Sequence, residues 1–75
     1  MEISLDKLGL GRLGVVTHID TDGYMKNRLR AFGMVPGTSV RCRYRSPGGS
    51  VTALEFRGSV VALRTRDLRC IRVES

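Results

Sequence analysis

The chain has no tryptophan, one histidine, two cysteines and two prolines, and its aromatic residues are only Tyr24, Phe32, Tyr44 and Phe56. Each scarcity excludes something. Two widely separated cysteines, Cys42 and Cys70, are too few for the disulfide framework of a small secreted domain. Strand alternation also places them on different faces, which argues against a bridge between them. Cys42 reads as a small core residue. Two cysteines and one histidine do not furnish a recognisable tetrahedral metal set. His18 and Asp20, on one face of a predicted strand, offer at most an adventitious surface ion site, so no metal and no cofactor is expected. The sequence contains no G-x-S-x-G, H-E-x-x-H or G-x-x-x-x-G-K-[ST], and Gly9-Leu10-Gly11 lacks the preceding strand of a dinucleotide fingerprint. His18 has no serine or cysteine at a readable partner spacing, and enzymatic activity is not expected.

Long apolar runs are also missing. The longest, Val60 to Leu63, is far short of the roughly 20 residues of a spanning helix. The opening MEISLDKLGL has early acids and no apolar stretch of signal-peptide type. The sequence therefore reads as soluble and cytoplasmic. Its 75 residues make one domain, 1–75, because so short a chain cannot divide its apolar residues between two cores. A domain of this size buries about 60% of its unfolded surface and has little to spare for an elaborate active site.

Positive charge is plentiful. Lysine and arginine total 13 against 7 acids, for a net charge of +6, and eleven of the thirteen are arginine. The charge is uneven: residues 1–22 hold two basic groups against four acids, and residues 23–75 hold eleven against three. Such a surface attracts nucleic acid, anionic lipid or an acidic protein, and composition does not choose among them.

Residues 14–19 read as a strand whose register is ambiguous, since Val15 and Val16 point to opposite faces. Asp22 suits a helix N-cap. Met25, Leu29 and Phe32 then recur at i, i+4 and i+7 as an apolar stripe. With Gly33 at C′ and Met34 at C″, Leu29 falls at C3, the pairing of a Schellman stop. Pro36-Gly37 suits a type II turn. In VRCRYR, alternation directs Val40, Cys42 and Tyr44 one way and Arg41, Arg43 and Arg45 the other. SPGGS, residues 46–50, is a flexible loop. A strand with Leu54 and Phe56 inward follows, then a two-residue hairpin turn at Gly58-Ser59, the strand VVALR, a short turn at TRDL and a last strand, RCIRV, with Ile71 and Val73 inward and Cys70 and Arg72 outward. The sum is a mainly β fold: a small SH3-like barrel of about five strands with one helix inserted after the first strand. An OB-fold is the alternative, but its helix usually falls between the third and fourth strands.

The arginines at 41, 43 and 45 have two readings. One is a solvated strand face partly balanced by Glu55 across the hairpin. The other is a docking face for an acidic partner or a phosphate backbone. A nucleic-acid-binding barrel usually adds aromatic platforms for base stacking, and three of the four aromatics here are assigned to the apolar face. The outer turn of the helix, with Tyr24 and Arg28, and the loop at Pro47, Gly48 and Gly49 are candidate partner-binding elements, since loops of small barrels often carry function.

The ordered set LDKLGLG, GVV, RLRAFGMVPGTSV, SPGGS, VVALR and CIRV, from about Leu5 to Val73, resembles FeoA. That is the small SH3-like family of bacterial ferrous-iron uptake, also found as the C-terminal domain of some metal-dependent repressors. The resemblance implies a cytoplasmic accessory protein that binds and regulates or stabilises FeoB, the membrane ferrous-iron transporter bearing a cytosolic GTPase domain. The membrane would be reached only through that partner. The resemblance also turns Val16 and Ile19 inward, which requires a bulge or twist in the first strand. Tyr24, Arg28, Pro47, Gly48 and Gly49 would then form the partner surface, with Arg41, Arg43 and Arg45 steering the encounter. The alternative is a basic SH3-like barrel that binds nucleic acid.

Overall fold

The helix-to-strand junction folds as its punctuation anticipates. In the computed structural model, which describes every residue from Met1 to Ser75, helix α1 spans Gly23–Ala31. The Asp22 carboxylate accepts a hydrogen bond from the Met25 amide at 3.0 Å and caps its first turn. At the other end the Met34 amide donates to the Leu29 carbonyl and the Gly33 amide to the Arg30 carbonyl, both at 2.9 Å, the bond pair of a Schellman stop. Gly33 takes φ +89° to make it. The Thr38 amide then bonds the Val35 carbonyl at 3.0 Å across Pro36-Gly37, closing the turn into the next strand. Thr38, itself buried, donates its hydroxyl to the Gly33 carbonyl at 3.0 Å, so cap and turn brace each other.

The strands are β1 (Glu2–Ser4), β2 (Leu13–Ile19), β3 (Ser39–Arg45), β4 (Val51–Phe56), β5 (Ser59–Arg64) and β6 (Ile71–Glu74). They form one antiparallel sheet in the order β1-β6-β2-β3-β4-β5. The last strand therefore pairs with both β1 and β2. Strand β1 is absent from the sequence reading because three residues carry no readable alternation, and it moves the helix to a place after the second strand. Two short 3-10 helices, Leu5–Lys7 and Thr65–Cys70, bury Leu5 and Leu68. Cys70 thus belongs to a 3-10 turn and not to the final strand.

Two bulges correct the alternation. The register of β2 against β6 shifts between Val16 and His18, which brings Val16 into the core and leaves Ile19 half-buried against it. The register of β3 against β4 shifts between Cys42 and Tyr44. Beyond that bulge the strand reverses its phase. Tyr44, expected inward, is 56% exposed, while Arg45, expected outward, turns toward the chain at residues 6–8. The β4–β5 turn falls one residue earlier than expected. Phe56 pairs with Ser59, so the turn residues are Arg57 and Gly58, with φ of 53° and 78°, as a type I′ hairpin requires.

The core draws on nearly every element. Leu5, Leu8, Val16, Leu29, Met34 and Val40 meet Cys42, Leu54, Phe56, Leu68, Ile71 and Val73, all buried. Helix α1 contributes only Leu29 in full and Met25 in part. Phe32, expected on the core stripe, is 41% exposed, because it sits at the C-cap where the chain leaves the helix. At about 1.5–3 kcal/mol per fully buried aliphatic side chain, the helix is weakly anchored and keeps most of its surface free.

Candidate interaction surface

The helix and the 46–50 loop, both candidate partner-binding elements of the sequence, border two clefts that share Arg64 and Arg66. Tyr24 is 74% exposed, and the guanidinium of Arg28, one turn later, lies 6.0 Å from its ring centroid. Arg28 also rims a crevice between α1 and the sheet, lined by Met25, Leu29, Phe32, Leu63 and Leu68. The 46–50 loop is held by its own serines. The Gly49 amide bonds the Ser46 carbonyl at 2.8 Å, and the Val51 amide bonds the Ser46 hydroxyl at 3.0 Å. Gly48 and Gly49 both take positive φ. The Ser50 carbonyl accepts from the Thr65 amide at 2.9 Å, tying the loop to the end of β5.

Arg64 and Arg66 join these two elements. Both line a cleft of about 460 Å³ with Gly48, Gly49, Ser50 and Arg69. Both also line a groove of about 470 Å³ with Met25 and Arg28. Sequence reasoning missed Arg64, Arg66 and Arg69. Their only signal is charge, which eleven arginines share, and the residues of the 3-10 turn that holds the last two read in sequence as a short turn.

The predicted arginine row is broken at Arg45, whose side chain turns inward. Arg41 donates to the Gly11 carbonyl at 2.7 Å, and Arg43 pairs with Glu55 at 3.5 Å. Arg45 donates to the carbonyls of Asp6 and Leu8 at 2.7 and 2.8 Å and is half-buried. Neither Arg41 nor Arg43 lines the clefts that hold Arg28 or Gly48 and Gly49. Arg45 is a clamp inside the fold and is unavailable for steering.

Across β6, from β2 to β1, exposed His18 sits 3.4 Å from the Glu2 carboxylate. The Thr17 hydroxyl donates to the same carboxylate at 2.7 Å. That hydrogen bond, with smaller help from His18 and Arg72 and against some desolvation, holds the Glu2 carboxyl below the usual range. No group of three or more histidines, cysteines and acids is gathered to hold a metal ion. Cys42 and Cys70 are free thiols. Cys70 donates to the Asp67 carbonyl at 3.1 Å, and burial pushes its thiol pKa up. No helix is long and apolar enough to cross a membrane.

Comparison with known proteins agrees with this architecture. No curated protein matches the chain. Among solved structures it is similar to the zinc complex of Stenotrophomonas maltophilia FeoA, described as a prokaryotic SH3-domain protein, at 28% identity and TM-score 0.82 over 96% of this chain and 89% of that one. The FeoA-like protein of Clostridium acetobutylicum is similar at 26% identity and TM-score 0.88, over 97% of this chain and 85% of that one. A manganese-dependent transcriptional repressor shares the fold at TM-score 0.89 and 20% identity, over 99% of this chain and 41% of its own. The FeoA domain model matches residues 3–75. On that match, spanning nearly the whole sequence, the chain belongs to the FeoA domain family.

Proposed function

We propose that this protein is a non-enzymatic, cytoplasmic accessory factor of ferrous-iron transport, with residues 1–75 acting as one domain that docks on a FeoB-type transporter. The observation that carries the reading is the FeoA domain match over residues 3–75. The similar Stenotrophomonas maltophilia protein, for which a role as a bacterial ferrous-iron-transport activating factor has been suggested, points the same way. The docking face in this reading is the outer turn of α1, with Tyr24 and Arg28, together with Pro47, Gly48 and Gly49. An exposed aromatic beside an arginine joins two residue types enriched at interface hot spots, and Tyr24 stands largely in solvent.

The test is a nuclease-treated affinity pull-down of the tagged chain from solubilised membranes of its own organism. The expected result is recovery of a GTPase-bearing iron permease, lost when Tyr24→Ala and Arg28→Ala are combined. Recovery that survives the double substitution removes the face but keeps the partner. Absence of the permease, when it is present in the input, overturns the reading. A second reading, a domain acting within or beside a metal-dependent repressor, is favoured by the fold shared with the manganese-dependent repressor. Recovery of nucleic-acid-associated proteins alone would support it.

A further inference from the structure

Eleven arginines make charge uninformative until each is asked what it already holds. Arg41, Arg43, Arg45, Arg57 and Arg72 each have a carbonyl or carboxylate partner in the chain, most of them at its surface. Arg28 lies over Tyr24. The side chains of Arg12, Arg30, Arg64 and Arg69 make no hydrogen bond or ion pair, and that of Arg66 reaches only its neighbour Asp67, at 4.0 Å. Two of the four uncommitted arginines, with the weakly paired Arg66, line one cleft. Its remaining wall is the loop at Gly48, Gly49 and Ser50, and no acid lines it.

We propose that this cleft, built by Arg64, Arg66 and Arg69 against the Gly48-Gly49 loop, binds a polyphosphate chain, free or carried on a nucleotide. Arg64, Arg66 and Arg69 bring three positive charges to one concave site that no acid lines, although Arg69 also borders a second cleft with Glu2 and Asp20, and a multiply charged anion offsets the repulsion among them. Guanidinium forks match phosphate oxygens two at a time, which a single carboxylate satisfies less fully when three forks face it. A Cβ added at Gly48 or Gly49 would meet nothing within 4 Å, so the loop wall is bare backbone with open space before it. The cleft volume, about 460 Å³, lies within the range of small-ligand sites. No aromatic residue lines the cleft, so it offers a base no stacking platform and reads the phosphates alone. The cleft shares Gly48 and Gly49 with the docking face proposed above. The test uses the isolated full chain with no partner present, so failure of one leaves the other standing.

Inorganic triphosphate is titrated into the 15N-labelled protein at moderate salt, with orthophosphate, ATP and a short single-stranded oligonucleotide in parallel. The expected result is a saturable shift of the Gly48, Gly49 and Arg64–Arg69 amides, with triphosphate binding tighter than orthophosphate. Loss of two charge-assisted contacts predicts that R64A/R69A weakens binding about tenfold or more. The control R12A/R30A removes the same charge from two exposed, uncommitted arginines and is expected to stay within about twofold, because solvent and salt screen charges distant from the cleft. R64K/R69K keeps the charge and removes the forks, and is expected to fall between the two. Spectra of each variant without ligand report that it is folded. ATP equal to triphosphate identifies the phosphate chain as the whole ligand, and ATP distinctly tighter makes a nucleotide the source; both support the site. Shifts scattered over the surface, equal weakening in both alanine pairs, or unaltered binding in R64K/R69K overturn it. So does binding of the oligonucleotide without triphosphate, which would assign the charge to nucleic acid.

Discussion

One nitrogen of Arg45, Nη2, is 2.7 Å from the carbonyl oxygen of Asp6 and 2.8 Å from that of Leu8, so the end of β3 holds the N-terminal 3-10 helix in place. The arginine Nε and one Asp6 carboxylate oxygen are buried beside this contact without a partner. The clamp is thus held in position by the fold at some electrostatic cost.

Arg45→Ala orphans two carbonyls at once. Hydrogen bonds to charged groups contribute about 1.5–3 kcal/mol, and a loss of that order is expected from urea unfolding. Arg43→Ala, which breaks an exposed ion pair, is expected to cost about 0–1 kcal/mol. Equal losses for the two variants would show that Arg45 is an ordinary surface residue.

Gly33 and Arg57 are coupled. A Cβ at Gly33 would lie 2.6 Å from the Arg57 Cδ, and φ there is +89°. The Arg57 Nε donates to the Gly33 carbonyl at 3.0 Å. Gly33→Ala is expected to destabilise by about 1–3 kcal/mol through the left-handed backbone and the displaced arginine. In an Arg57→Ala background the clash is gone, and the cost should shrink toward the backbone contribution of about 1–2 kcal/mol. A thermal double-mutant cycle with no coupling would contradict the contact.

Glu2 contributes an acid-side dependence. Its carboxyl is lowered from 4.5, chiefly by the Thr17 hydroxyl. Because the folded value is the lower one, the stabilisation is present above the unfolded carboxylate pKa and is lost as pH falls through the folded value. An NMR titration of the Glu2 side chain should show a midpoint below that of a model peptide. Thr17→Ala should move it back up, and no movement would leave His18 and Arg72 as the cause.

Cys70 should be a sluggish thiol. Burial raises its pKa above the ordinary 9.0, so little thiolate is present at neutral pH. The associated stability is complete below the unfolded thiol pKa and is lost as pH rises through the folded one. A disulfide reagent at pH 8 should modify Cys70 more slowly than a free peptide thiol and leave buried Cys42 untouched until unfolding. Rapid labelling of Cys70 would show that the 3-10 turn opens freely.

What the sequence determined by itself was local. Asp22, Leu29, Gly33, Met34 and Pro36-Gly37 specify a cap, a Schellman stop and a turn, because each depends on residues a few positions apart and on backbone angles that few residue types adopt. Alternation likewise placed Val40, Cys42, Leu54, Phe56, Ile71 and Val73 inward. Its failures came where an extra residue entered a strand. The shift beside Arg43 exchanged the roles of Tyr44 and Arg45, and no feature of RCRYR announces it, because a bulge is settled by the pairing partner across the ladder. Strand β1 exists only because β6 returns beside it. The convergence of Arg64, Arg66 and Arg69 on the Gly48-Gly49 loop was likewise a tertiary decision. The Thr65–Ser50 bond and the 3-10 turn bring these residues to one cleft, while Arg41, Arg43, Arg45, Arg57 and Arg72 are held by partners elsewhere in the chain. Charge can be counted along a chain, but whether it is free to act depends on what the folded chain places within reach.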